Sequence, residues 1–491
     1  MSAEVVRQNG TWPRAAPVVA ALAVLCVYLP SVLRRSAWSD DYPILFETNL
    51  SSGLSRGRPV STALQILGFQ AAGSIDGLRF LRILGLLGTV ALVWWIARFL
   101  LVNGLQPASA ALFAISTGFL PTFHFSVGWA TVFLAPWQCL LAAIAGILWV
   151  DAEGGNRFRH RMVAGFCLTF LLLSYPPSAM FCWAVLAVRL TLRRDDAPTA
   201  LRQVISMGVL VTISSCLSLL TIAGLSYQIE NGDPHLFRFV GSLPEFAEKL
   251  VWFVSHPVVV GARPFSTFSP SPILALVTAG PVLIVIAAGL YLSARGSTLG
   301  RLAAVALVGL SSALTMTSHL VASDNQIDYR FMTGLTVSMW ILLLLSVKQV
   351  AQSLMGTKAR RSLPVVGLVS LLLVTVLFAV TARTSIDRLF LKPFDSKETY
   401  LLDHLVDFDE TRHNQVVLIT PTIWPSRSRL GVFSTVTDLS HPWVLRPNIQ
   451  LLLQELGVED GDISVLVVDH QPSLEITDYG IDLRPYVAHL E

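Results

Sequence analysis

The sequence predicts an α-helical polytopic membrane protein of about eleven transmembrane helices, followed by a small extracytoplasmic α/β domain. Three observations predict it. Apolar residues make up 53% of the 491-residue chain and charged residues only 14%, against about a quarter in soluble domains. The mean hydropathy is +0.62. Long apolar runs recur from residue 15 to residue 381 and then give way to polar sequence. So few charges cannot cover the surface of a soluble protein of this length, and much of that surface must face lipid. The net charge of +3 says little about nucleic acid. No basic patch is interleaved with aromatics as a single-strand site requires, so no nucleic-acid partner is expected. Cys26, Cys139, Cys167, Cys182 and Cys216 all lie in apolar runs, which leaves no disulfide framework and no CxxC metal pattern.

An apolar run of about 18 residues or more can cross a bilayer. The first, Ala15 to Leu33, follows a short basic start (Arg7, Arg14) and ends at Arg34-Arg35 with no small-residue cleavage site. It reads as an uncleaved span and not as a signal peptide. Further runs follow near Phe80–Val102, Ala108–Pro121, Ser126–Val150, Met162–Ser174 and Pro177–Leu190. They continue near Val204–Leu225, Pro272–Ser293, Leu302–Leu320, Met332–Val347 and Leu363–Thr381. The pair around Tyr175-Pro176-Pro177 could be one kinked helix, since proline breaks the hydrogen-bond ladder. Charge decides against merging. With the N-terminus inside and eleven spans, Arg157, Arg159 and Arg161 fall inside, as do Arg193, Arg194 and Arg202. So do Arg295 and Arg301, then Lys348, Lys358, Arg360 and Arg361, as the positive-inside rule requires. Residues 1–383 then form the membrane domain and residues 384–491 an outer domain. In that tail Val416–Thr420 and Ser464–Val468 read as buried strands, and Ser396–Val406 and Pro447–Leu456 as helices, the second capped by Gly457.

Ionisable residues gather in the outer segments Arg34–Arg79, Ser226–Ser271 and Ser318–Phe331, not within the spans. The first segment is the richest. It opens Trp38-Ser39-Asp40-Asp41-Tyr42 and continues Arg56-Gly57-Arg58-Pro59. Adjacent carboxylates near a membrane repel, which raises the pKa of one and suits a general base, or a metal ligand if a divalent cation is used. Asp41 is slightly favoured as the base, because Tyr42-Pro43 would hold it still. The competing reading is a solvated acidic loop. Arg56 and Arg58 carry forked guanidinium groups that fit phosphate oxygens, or simply neutralise the aspartates. Tyr329-Arg330 opens a late span, where Arg330 suits either a ligand or a headgroup contact. His124 and Trp129 fall in a short outer turn after Leu120-Pro121, and His256 and Arg263 in the second long segment, as further substrate contacts. Carboxylates and arginines sharing one membrane face fit transfer of a sugar from a lipid phosphate to a hydroxyl. The arginines would stabilise the leaving phosphate and an aspartate would take the proton.

These residues resemble the GT-C superfamily of polytopic glycosyltransferases, in particular bacterial serotype-converting O-antigen glucosyltransferases of the Gtr type. Ser39-Asp40-Asp41-Tyr42 followed by Gly57-Arg58-Pro59 is similar to the family's first outer loop. Leu120-Pro121 with Gly128-Trp129 resembles its third-to-fourth span turn. Ser174-Tyr175-Pro176-Pro177 resembles its Tyr-x-Pro turn, and Tyr329-Arg330 its late loop arginine. The likeness covers the membrane part, about three quarters of the chain, through short motifs. It implies a GT-C-like fold in the bacterial cytoplasmic membrane, a polyprenyl-phosphate sugar donor, a glycan or glycolipid acceptor, inverting transfer and an extracytoplasmic site. It also implies Asp40 or Asp41 as the base. It leaves the sugar open, with a hexose such as glucose expected.

Two other readings compete. A flippase or transporter of lipid-linked sugars needs polar groups near the midplane, and none can be traced. A polymerase or ligase of surface glycans would favour a large late loop, whereas here the richest loop comes first.

Overall fold

The computed structural model describes residues 12–46, 57–152, 156–229, 240–263, 272–323, 325, 328–355, 359–420, 442–458, 463–469 and 478–485. Every apolar run is helical. They form α1 (Trp12–Val32), α4 (Leu78–Val102), α5 (Pro107–Gly118), α7 (Ala135–Val150), α8 (Arg157–Ser174) and α10 (Phe181–Arg193). The later ones are α11 (Ala197–Ile229), α14 (Pro272–Ser293), α15 (Thr298–Leu314), α17 (Thr333–Leu354) and α18 (Ala359–Ile386). Shorter helices lie between them: α2 (Asp41–Phe46), α3 (Pro59–Ala72), α6 (Pro121–Gly128), α9 (Pro176–Ala179), α12 (Leu243–Ser255), α13 (Pro257–Gly261) and α16 (Thr317–Val321).

Among the described residues six helical stretches are long and apolar enough to cross a membrane, or seven if α5 and α6, bent by 60° at their junction, count as one. The protein is therefore a helical, multi-pass membrane protein by the length and composition of its helices. The remaining runs are shorter or more charged. α10 has 13 residues, α8 opens on Arg157, Arg159 and Arg161, and Val277–Ser293 of α14 and Thr298–Leu314, the whole of α15, are shorter apolar segments.

The helices flanking Tyr175 are separate, as the charge pattern required, with Tyr175 extended between them at φ −153°. Two local features differ from the sequence reading. Residues 121–128 are not a turn but the fully buried helix α6, opened by Pro121 at its first position, where a missing N–H costs nothing. The last span does not stop near Thr381. α18 runs through a π-helical turn at Asp387–Leu391 into α19 (Lys392–Leu405), and Pro364–Leu405 forms one continuous 42-residue helical stretch, apolar in its first part and charged from Asp387 on. Residue 383 thus lies inside a continuous helix.

The bundle presents two opposed ends. One gathers Asn103, Asp151, Arg189 and Arg193, with Arg193 bonded to Asn103 and both arginines paired with Asp151. The other gathers the chain after α1, the start of α3, Tyr175 and Arg330. Arg330 precedes the first turn of α17 and Lys348 lies in its C-terminal half, on a helix of 22 residues that rises about 33 Å. The apolar core of α1, α4–α7, α10, α14 and α17 fills the space between the ends.

Beyond α19 the chain forms a three-stranded, all-parallel sheet of order β2-β1-β3, with β1 Gln415–Ile419, β2 Ser464–Val468 and β3 Asp478–Asp482. Val416 pairs with Val465 on one side and Tyr479 on the other. Helix α20 (Pro442–Glu455) lies between β1 and β2 in the chain, the crossover that parallel pairing demands. Leu445, Ile449 and Leu452 of α20 pack with Leu401, Leu405, Val416, Leu418 and Ile481. Gly457, in the left-handed region at φ +85°, follows the end of α20. β3 carries no apolar run, and its sequence Asp478-Tyr479-Gly480-Ile481-Asp482 gave no strand signal.

Candidate active site

The site is built on the turn that follows α1. The Asp41 amide donates to the Trp38 carbonyl (2.9 Å), and Ser39 adopts a left-handed φ of +43°. A non-glycine residue in that region is held there by its surroundings. Asp41 does the holding. It is fully buried and accepts from the Trp38 amide (2.9 Å), the Thr131 amide (2.8 Å), the Thr131 hydroxyl (2.7 Å) and the Ala130 amide (3.3 Å). Burial pushes its carboxyl up to about 7, against the hydrogen bonds from Thr131 and Trp38 and the nearby Arg82 charge. The pKa is raised by burial and not by the neighbouring aspartate. Arg82, itself buried near the start of α4, donates to the Ser36 hydroxyl and the Arg34 carbonyl (2.5 Å) and anchors the turn from below.

Asp40, the preceding residue in this turn, is half-buried, and its charge reaches Arg330. Arg330 precedes α17. Its guanidinium lies over the Trp129 ring at 4.9 Å and the Phe331 ring at 4.6 Å, and it pairs with buried Asp328 at 2.8 Å. Burial opposes its charge, yet Asp328, Tyr175 and Asp40 hold Arg330 above the ordinary arginine value. Arg58 lies over the Tyr175 ring at 4.8 Å, and Tyr175 stacks on Phe331 with centroids 6.3 Å apart. The left-handed Gly57 (φ +66°) delivers Arg58, and Pro59 starts α3 immediately after it.

Two further members lie in outer segments that the sequence reading named, but neither residue was singled out there. Lys249 is buried on the inner face of α12 against Trp252, with Nζ 4.7 Å from the ring centroid. His319, on α16, packs on Phe331 at 4.8 Å. Burial and the charges of Arg58, Lys249 and Arg330 push His319 down to about 4, so it is neutral at physiological pH. α12 itself forms because Ser242 accepts from the Glu245 amide (3.4 Å) while Glu245 accepts from the Gly241 amide (2.8 Å), a reciprocal cap. Leu243, Val251 and Val254 are apolar and exposed, and Glu245 and Glu248 are exposed with them, the mixed surface of an amphipathic helix at a membrane face.

The other sequence candidates lie elsewhere. Tyr42 is buried with its hydroxyl 2.8 Å from Lys397 Nζ, turned toward the tail. Tyr329 donates to the Arg263 carbonyl at 3.4 Å, so this pair braces the start of α17. His124 is buried in α6, hydrogen-bonded to the Phe119 carbonyl (3.1 Å) and packed against Tyr28, a core position. His256 is exposed at the α12–α13 junction, beside Ser255. Arg56 lies outside the described residues. Among the described residues no three His, Cys, Asp or Glu side chains converge as metal ligands. Asp41 already directs its oxygens to N–H and O–H donors, so the aspartate pair is poorly suited to hold a divalent cation.

The arrangement gathers three cations, a neutral histidine and an aromatic floor of Tyr175, Trp129 and Phe331 at one end of a lipid-facing bundle, beside a half-buried carboxylate. Such a surface can hold an anionic group and accept a proton next to it. In comparisons with family models and with curated proteins, the chain matches none.

Proposed function

We propose that the protein is a membrane glycosyltransferase that moves a sugar, a hexose such as glucose, from a polyprenyl-phosphate donor to a hydroxyl of a surface glycan or glycolipid. In this reading eleven helices cross the bacterial cytoplasmic membrane, and the Asp40 end of the bundle and the tail face outward. The observation that carries it is the convergence of Arg58, Arg330 and Lys249 beside Asp40, at the end of an apolar bundle and next to the exposed apolar residues of α12.

The chemistry derives from the two aspartates of the turn. Asp41 is committed to three backbone amides and a hydroxyl, which suits a scaffold. Asp40 is therefore the base. It takes the acceptor hydroxyl proton as the oxygen bonds to the anomeric carbon and the bond to the donor phosphate breaks, with inversion. Negative charge builds on the departing phosphate, where fixed cations stabilise the transition state more than the ground state. The donor's lipid tail lies along the exposed apolar residues of α12. The site's cations gather beside Asp40 at one end of the bundle and not along its length, which favours transfer over transport.

The test is transfer of labelled hexose from a polyprenyl phosphate by purified protein in lipid. Arg58→Ala should weaken donor use about 10- to 100-fold, the effect of losing a charge-assisted contact of roughly 1.5–3 kcal/mol. Arg58→Lys should restore it only in part, since lysine lacks the fork. Unchanged donor dependence in Arg58→Ala would remove the assignment. A surface glycan of unchanged mass in a deletion strain would remove the function.

A further inference from the structure

The turn that carries Asp40 is gripped from outside the bundle. Arg34 pairs with Asp387 (2.9 Å) and with Asp395. Arg35 pairs with Glu398 (2.6 Å) and Glu455 (2.5 Å), and also with Asp76 (2.9 Å). Burial opposes its charge, but Glu455 and Glu398 hold Arg35 above the ordinary arginine value. Lys397 caps Tyr42 twice, bonded to its hydroxyl at 2.8 Å and placed 4.2 Å from its ring centroid. Phe390, in the π-helical turn, meets the Trp38 ring at 5.3 Å and the Phe125 ring at 5.7 Å. Phe394, Val444 and Leu451 complete an apolar cluster with Ala37, Tyr42, Phe69 and Leu78. Trp38 and Tyr42 bracket Asp40, so both sides of the aspartate are held by residues of 387–405 and of α20.

Resting on the function proposed above, we infer that residues 387–405 and helix α20 are a positioning element, with Lys397 and Glu398 as positioning residues that fix the Trp38–Tyr42 turn so that Asp40 faces Arg330. Neither residue is among the cations and rings that surround Arg330. They act through Tyr42 and Arg35. A turn with one left-handed serine and two adjacent carboxylates has other conformations open to it. The carboxylates of α19 and α20 and the Lys397–Tyr42 contact select one. A displacement of about 1 Å at a reacting group costs on the order of a hundredfold in rate. Loosening the grip should thus slow chemistry while leaving the phosphate site intact.

The experiment uses the full chain in lipid, with Lys397→Met, Glu398→Gln, the double variant and Lys397→Arg. Hydrogen exchange of the amides from Ser36 to Phe46 should quicken in the first three. Their kcat should fall about 10- to 100-fold with donor KM unchanged, because Arg58, Arg330 and Lys249 remain. Lys397→Arg, which keeps the charge and a donor, should recover both readouts. Parental exchange and kcat in the double variant would overturn the inference. So would a joint loss of kcat, donor KM and melting temperature, which marks a general loss of fold. Exchange needs no turnover. A parent inactive on every polyprenyl donor would remove the proposed function and leave the grip to be decided by exchange.

Discussion

Asp40 and Asp41 are neighbours with different surroundings, so their asparagine variants should fail in different ways. Asp41→Asn sets an amide NH2 against the Trp38, Ala130 and Thr131 donors. A buried group left unsatisfied costs about 1–3 kcal/mol, and melting in detergent should come earlier. Asp40→Asn should melt as the parent does and lose about 100- to 10,000-fold in turnover, the range for a missing general base. Equal melting losses in both would reject this division. His319 supplies a pH test. Its folded pKa of about 4 lies below the ordinary 6.5, so the unfolded chain takes up the proton first as pH falls. Stability should drop through that interval, and His319→Asn should flatten the drop. The sequence puts an acidic pair and two arginines in one polar segment between apolar runs. It could not show which aspartate meets backbone amides, because those amides belong to residues 130 and 131, far along the chain. Lys249 was illegible for a related reason. A lysine on an amphipathic helix reads as solvated, and here the helix turns apolar residues outward and its lysine inward.

Helix α6 shows how far local signals reach. Leu120-Pro121 correctly marked a break, but the break opens a buried helix and not a turn, since only tertiary packing covers His124 and Phe125 on every side. The same helix ends at Gly128, where an added Cβ would lie 2.6 Å from the Phe390 ring. Gly128→Ala should therefore push Phe390 off Trp38 and destabilise the protein by about 1–3 kcal/mol, the usual overpacking cost. Phe390→Leu should recover part of that loss in the double variant, and strict additivity of the two melting shifts would argue against the contact. The apolar runs were legible because lipid imposes hydropathy on every span. Strand β3 was not, because its pairing with β1 supplies order that its acidic sequence does not announce.

At the scale of the whole molecule, the reading places the N-terminus inside and the tail outside. A phosphatase fused after the last residue should be active, and a fluorescent protein that folds only in the cytoplasm should be dark. The reverse result would move the Asp40 end to the wrong side of the membrane. The 42-residue stretch Pro364–Leu405 is about 63 Å long against a hydrocarbon core of about 30 Å. It is one rod linking the bilayer to the sheet. The grip on the first turn also has a history in time. Arg34 and Asp387 are 353 residues apart. A ribosome adding roughly 5–20 residues per second needs about 20–70 s to make the second after the first. Throughout that interval Arg34 has left the first helix without its carboxylates and Arg35 has only Asp76, so the turn bearing Asp40 rests on Asp41 and Arg82 alone. Completion of the site is thus a late event in biogenesis, and a chain stalled anywhere before residue 387 should carry an intact first span and a turn without its outer grip.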